Sequence, residues 1–138
     1  MGLFNLFNKP EKEDSVSTIQ VGQEWHYQTR KLEESSTLKI VKIEQYENIG
    51  KIIHISILDL KVKHPQFPNE FLSEATHIPI TEDALLKSIT SIKNDRCDLP
   101  DYEFGYVRWK HAFDEDKAGY FAIPVNEVVH YLEESANK

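Results

Sequence analysis

At 138 residues the chain is sized for one domain, and 23 acidic against 16 basic side chains give a formal net charge of −7 that disfavours nucleic acid as a partner. The hydrophobic share is 40% and the charged share 28%, an ordinary globular balance with no apolar run near the roughly 20 residues that cross a bilayer. Cys97 is the single cysteine, which excludes an intrachain disulfide and a cysteine metal cluster, and without a signal-peptide pattern the expected location is the cytoplasm.

Residues 1–17 read as an N-terminal apolar segment and polar linker. Leu3, Phe4, Leu6 and Phe7 would share one patch of a short helix that Pro10 ends, and the polar run from Glu11 to Ser15 follows. Residues 18–138 then form one domain. In 24–30, Trp25, Tyr27 and Thr29 alternate with His26, Gln28 and Arg30, the period of a half-buried strand with its aromatics inward. Two long β-branched runs, 36–46 and 51–63, flank the turn residues Glu47, Asn48, Ile49 and Gly50, and predict a β-hairpin. Both runs change parity. Leu38 and Ile40 alternate on one face, Val41 and Ile43 on the other; Ile53, Ile55 and Ile57 are followed by Leu58, Leu60 and Val62. A bulge near Ile57 and Leu58 is the expected cause in the second run. Pro65 and Pro68 then end pairing.

Three helices are expected next. Thr81 caps the first, with Glu82 and Asp83 in its first turn and Leu85, Ile89 and Ile92 on one face as far as Asn94. The second starts at Asp101 and carries the aromatic stripe Tyr102, Tyr106, Trp109 and Phe113; Gly105 inside it implies close approach of a neighbouring element. A short strand over 120–123 precedes the third helix, whose apolar face is Val125, Val128, Val129 and Leu132 and whose start lies at Pro124 or Asn126. Segregated strands and helices define an α+β fold, with an antiparallel sheet of four to five strands and about three helices packed on one face.

The chemistry-bearing residues are sparse in pattern. None of the six histidines lies in a His-x-x-x-His or His-Glu-x-x-His spacing, so no metal site is expected; one assembled across strands would draw on His26, His54 and Asp59. Ser56 follows His54 by two on the same strand face, but no Gly-x-Ser-x-Gly elbow exposes a nucleophile. Asp98, Asp101 and Glu103 surround a helix start, where carboxylates cap amides and complement the dipole. The five glycines are scattered singly, so no phosphate-binding loop exists and no cofactor is expected. Asp114, Glu115 and Asp116 lie near a helix C-terminus, where the dipole disfavours acids, and form a candidate patch for a partner with a basic surface.

Several stretches carry a resemblance. Residues 22–30 (Gly-Gln-Glu-Trp-His-Tyr-Gln-Thr-Arg), 36–40 (Ser-Thr-Leu-Lys-Ile), 52–56 (Ile-Ile-His-Ile-Ser), 77–80 (His-Ile-Pro-Ile) and 105–113 (Gly-Tyr-Val-Arg-Trp-Lys-His-Ala-Phe) resemble a family of small uncharacterised bacterial domains. The resemblance spans roughly residues 20–134 and leaves Met1 to Ser17 uncovered. It implies a bacterial, cytosolic single-domain protein and supplies no catalytic residues.

The function expected from the residues is a non-enzymatic protein-interaction module, of accessory or immunity type. The runner-up is a small-ligand-binding protein or an enzyme without a recognised motif. Its pocket would gather Trp25, Arg30, His54 and His77, with Arg30 gripping a carboxylate or phosphate through a two-pronged contact.

Overall fold

The computed structural model describes residues 19–66 and 69–137. The expected apolar patch at Leu3, Phe4, Leu6 and Phe7, and the break expected at Pro68, lie outside the described residues. Strands β1 (Glu24–Tyr27), β2 (Thr37–Tyr46) and β3 (Gly50–Leu58) come first, followed by the short strands β4 (Val62–Lys63) and β5 (Phe71–Leu72). Then come β6 (Ala75–Thr81), helix α1 (Glu82–Ser88), β7 (Ile89–Asn94), α2 (Glu103–Asp114) and α3 (Val125–Ala136). The main sheet has five antiparallel strands in the order β6-β3-β2-β1-β7, and β4 and β5 pair separately. The α+β expectation of a five-stranded antiparallel sheet and three helices is met among the described residues.

The hairpin forms where the turn residues place it. Tyr46 pairs with Gly50, and Gly50 adopts φ +95°, a left-handed conformation that a residue without Cβ takes at little cost. The two parity changes have different causes. In β2 the register slips between Ile40 and Lys42, so Val41 is an extra residue and Ile43 returns to the face of Leu38 and Ile40, opposite Ile53. The second run is two strands rather than one bulged strand. β3 stops at Leu58, Asp59 turns at φ +55°, and Leu60 and Val62 rejoin the core from a new direction.

β3 is covered on both faces. Ile53, Ile55 and Ile57 point into the main core with Leu38, Ile40, Ile78 and Ile80, against Ala84 and Leu85 of α1 and Val125, Val128 and Val129 of α3. Ile52, His54 and Ser56 alternate onto the opposite face, and they too are buried. The sheet therefore carries two helices, α1 and α3, on the face where all three were expected, and α2 on the other. Ser88 ties the first layer together: its hydroxyl donates to the Ala84 carbonyl at 2.9 Å and accepts the first amide of α3, from Val125, at 2.9 Å. Pro124 therefore sits at the cap position of α3, and its carbonyl accepts from Glu127 and Val128.

Two elements differ from the sequence reading. Thr81 does cap α1, accepting from the Ala84 amide at 3.2 Å, but the helix ends at Ser88. Ile89 and Ile92 belong to β7, which pairs with β1. The run Ile89, Thr90, Ser91, Ile92 is rich in β-branched residues, and an available sheet edge outweighs the helical spacing of the isoleucines. The strand expected over 120–123 is a single parallel bridge, Phe121 to Ile80.

Candidate functional site

Among the described residues, a connected set of titratable side chains lies between the second face of the sheet and α2. It starts from strand alternation. In β2, Lys42, Glu44 and Tyr46 share the parity that faces α2; in β3, His54 lies opposite Lys42 and one pair away from Glu44. β6 contributes His77. The chain of contacts runs in one line: His54 Nε2 is 2.9 Å from Glu44 Oε1, and His54 Nδ1 is 2.9 Å from His77 Nε2. A carboxylate only accepts, so His54 carries its proton on Nε2 and donates it to Glu44. Its Nδ1 then accepts from the Nε2–H of His77. Tyr46 donates to Glu44 Oε1 at 2.8 Å, and Tyr106 of α2 donates to Oε2.

Helix α2 reaches this line with its aromatic stripe. The rings of Tyr106 and Trp109 stand edge-on to His54, each with centroids 5.1 Å away. Trp109 stacks on Phe113 at 4.6 Å, Phe113 meets Tyr46 at 5.3 Å, and the Trp109 indole donates to the Gly119 carbonyl at 2.7 Å. Lys42 lies 5.0 Å from the Tyr106 ring and Lys110 5.3 Å from the Tyr46 ring. No residue of α2 is fully buried, so it lacks the aliphatic anchor of α1 and α3. Polar and aromatic contacts to Glu44, His54 and His77 hold it instead.

Gly105 makes this approach feasible. A Cβ there would come within 3.1 Å of the His77 Cβ, so the close approach expected of this glycine is present and its neighbour is named. Gly105→Val should force α2 away from β6 and cost about 2 kcal/mol, the scale of overpacking a filled interface. A chemical denaturation midpoint unchanged from the parent would contradict that spacing.

Charge follows from the same geometry. Burial raises the Glu44 carboxyl, but the hydrogen bonds from Tyr106, Tyr46 and His54 outweigh it and hold the group below its usual range. Burial pushes His54 down, with Glu44 opposing and Lys42 assisting. His77 is pushed down to about 4, by burial first and by the neighbouring His54 second. A histidine kept neutral in the fold binds its proton more readily when unfolded. Acid therefore favours the unfolded chain from the unfolded value of 6.5 down to the folded value near 4. Glu44, depressed in the fold, acts in the same direction at lower pH. Stability should be full above about pH 7 and fall as pH drops through 6 and 5. His77→Gln should flatten that slope, and urea titrations across the range read it.

The residues expected to form a ligand pocket do not gather. His54 and His77 do meet. Trp25 packs at the edge of the main core, with its indole donating to Gln23 at 3.0 Å. Arg30 gives its fork to Glu33, at 2.8 and 3.1 Å, and a third bond to Glu133 at 3.0 Å, so the two-pronged grip it offers is already closed on its own chain. Ser56 donates to the Thr76 carbonyl rather than to a histidine. Asp114, Glu115 and Asp116 are exposed, as a patch requires, but Asp114 pairs with Lys110 at 2.8 Å and Glu115 with His111 and Lys117 at 3.3 and 3.5 Å. Among the described residues no three His, Cys, Asp or Glu side chains converge on a point where a metal ion would sit, because Glu44, His54 and His77 form a line. Nor does any helix among them have the length and apolarity to cross a membrane.

Sequence reasoning missed Glu44. The signal was present: counting back from the turn at Gly50 places Glu44 opposite Ile52 and diagonal to His54, on the parity of Lys42 and Tyr46. Comparison with protein-family models, curated proteins and solved structures finds no match.

Proposed function

We propose that this protein is a non-enzymatic interaction module that binds another protein, in the accessory or immunity-type role and bacterial cytosolic setting that its sequence suggests. One observation carries the reading. The centre of the acid and histidine line is closed: both nitrogens of His54 and both oxygens of Glu44 are spent on internal hydrogen bonds, α2 lies across them, and half-buried His77, pushed down to about 4, ends the line. A general base or nucleophile needs a group within reach of a substrate, and His54 is fully buried. What the molecule offers outward is surface. The outer side of α2 exposes Phe104 at 73% and Val107 at 60%, and the acids Asp114, Glu115 and Asp116 follow at its end.

Immobilised protein should retain a stoichiometric protein partner from host lysate at low salt, and a partner held by the acids should be lost at moderate salt. A His77→Asn variant that still folds should retain it equally, since the histidine line is structural in this reading. Absence of any partner under both conditions would count against the proposal. The ligand-binding alternative loses His54, which is fully buried, and keeps half-buried His77 alone.

A further inference from the structure

A groove of about 440 Å³ lies between the loop after β1 and the β4–β5 pair. Its apolar walls are Leu32 and Phe71, which stay 79% and 53% exposed. Lys31, Lys61 and Lys63 surround them, with Arg30 and Glu133 completing the lining. Counting Glu33 beneath Arg30 and Glu34, whose carboxylate accepts from the Leu32 amide and lies within reach of the Lys61 charge, four cations face three acids, in a chain whose formal charge is −7. A local excess of positive charge on an acidic protein selects an acidic ligand.

The loop that bears Leu32 is braced. Glu33, 1% exposed, accepts from both Arg30 and the Lys61 amide, the latter at 2.9 Å. Glu133 accepts from Arg30 and from the Lys63 amide at 2.7 Å, tying loop, β4 and α3 together. Leu32 itself sits at φ +70°, a conformation that side chains with a Cβ rarely take, and it faces solvent. A fixed loop that holds a large apolar side chain outward in a strained conformation has the form of a recognition element.

We propose that this groove docks an acidic peptide segment of a partner protein, with a large apolar side chain seated between Leu32 and Phe71 and carboxylates on Lys31, Lys61 and Lys63. The proposal rests on the interaction reading and adds to it a second contact, an acidic segment of the partner, apart from the basic surface that the acids at the end of α2 would meet. A segment is favoured over a small molecule because both walls are largely open to solvent, so a compact ligand would bury little of itself, whereas an extended chain covers both walls and reaches all three lysines.

The test is fluorescence anisotropy with a labelled hexapeptide of four acidic residues around one Phe and one Leu. A peptide with Lys in place of the acids, and dodecanoate as a competitor, complete it. The acidic peptide should bind, more weakly as salt rises. Leu32→Gly should weaken binding by roughly tenfold, as for an anchor residue, without lowering the melting temperature, because glycine is at home at that φ. Lys31→Glu combined with Lys61→Glu should abolish binding. No binding of the acidic peptide, equal binding of the basic peptide, indifference to Leu32→Gly, or tighter occupancy by dodecanoate would each overturn the proposal. A lysate partner retained equally by the Leu32→Gly protein would overturn the groove while leaving the interaction reading standing.

Discussion

Glu44→Ala should destabilise the protein by about 3 kcal/mol and lower its melting temperature by roughly 10 °C. The reason is the inventory of donors it serves. Three hydrogen bonds end on its carboxylate, from Tyr46, His54 and Tyr106. Tyr46 and Tyr106 are only partly buried, so their hydroxyls can turn to water. The Nε2–H of His54 cannot, because that residue is fully buried, and a buried donor without an acceptor carries its whole desolvation cost. The loss should be local. Tyr106 is bonded to Glu44 and α2 has no fully buried residue, so amide exchange in 103–114 should accelerate well before that in α1 and α3. Exchange rising uniformly across all three helices would mean that Glu44 does not hold α2 in particular.

Glu33→Ala should cost a similar amount, about 3 kcal/mol, for a different reason. Glu33 is nearly inaccessible, and it neutralises the two-pronged face of Arg30 while accepting the Lys61 amide. Its removal strands a partly buried guanidinium, which keeps Glu133 as a partner, and leaves the Lys61 amide without its acceptor. The estimate lies at the low end for a broken buried pair because Arg30 retains that second carboxylate. Arg30→Met with Glu33→Leu should restore part of the loss, since two apolar groups leave no orphaned charge. Urea denaturation of the two variants decides this, and a double variant no more stable than Glu33→Ala would contradict the assignment.

The sheet was largely legible because its signals are local. The β-branched runs and the Gly50 turn determine the hairpin, and the Thr81 cap with its two acids determines where α1 begins. Where α1 ends was not legible. Leu85, Ile89 and Ile92 fit a helical face by spacing alone, and the strand edge that recruits Ile89 and Ile92 is β1, far away in sequence. The histidine line was half legible. His54 and His77 could be singled out by type, and Gly105 by its cost within a helix. The contact between them depends on β3 pairing with β6, and Glu44 joins them by the register counted back from the Gly50 turn, which places it diagonal to His54. Arg30 shows the converse. Its chemistry suits an anion, but Glu33, three residues on, had already supplied one.

The state of the two histidines tests the central claim most directly. Imidazole nitrogen chemical shifts, followed by NMR in labelled protein from neutral to acid pH, should show His54 and His77 both neutral at pH 7 with the proton on Nε2. His77 should titrate only near 4, and the resonances of α2 should broaden or shift over the same range. An imidazolium at neutral pH, a proton on Nδ1 of His54, or either ring titrating near 6.5 would contradict a closed line in which Glu44 accepts from His54 and His54 accepts from His77.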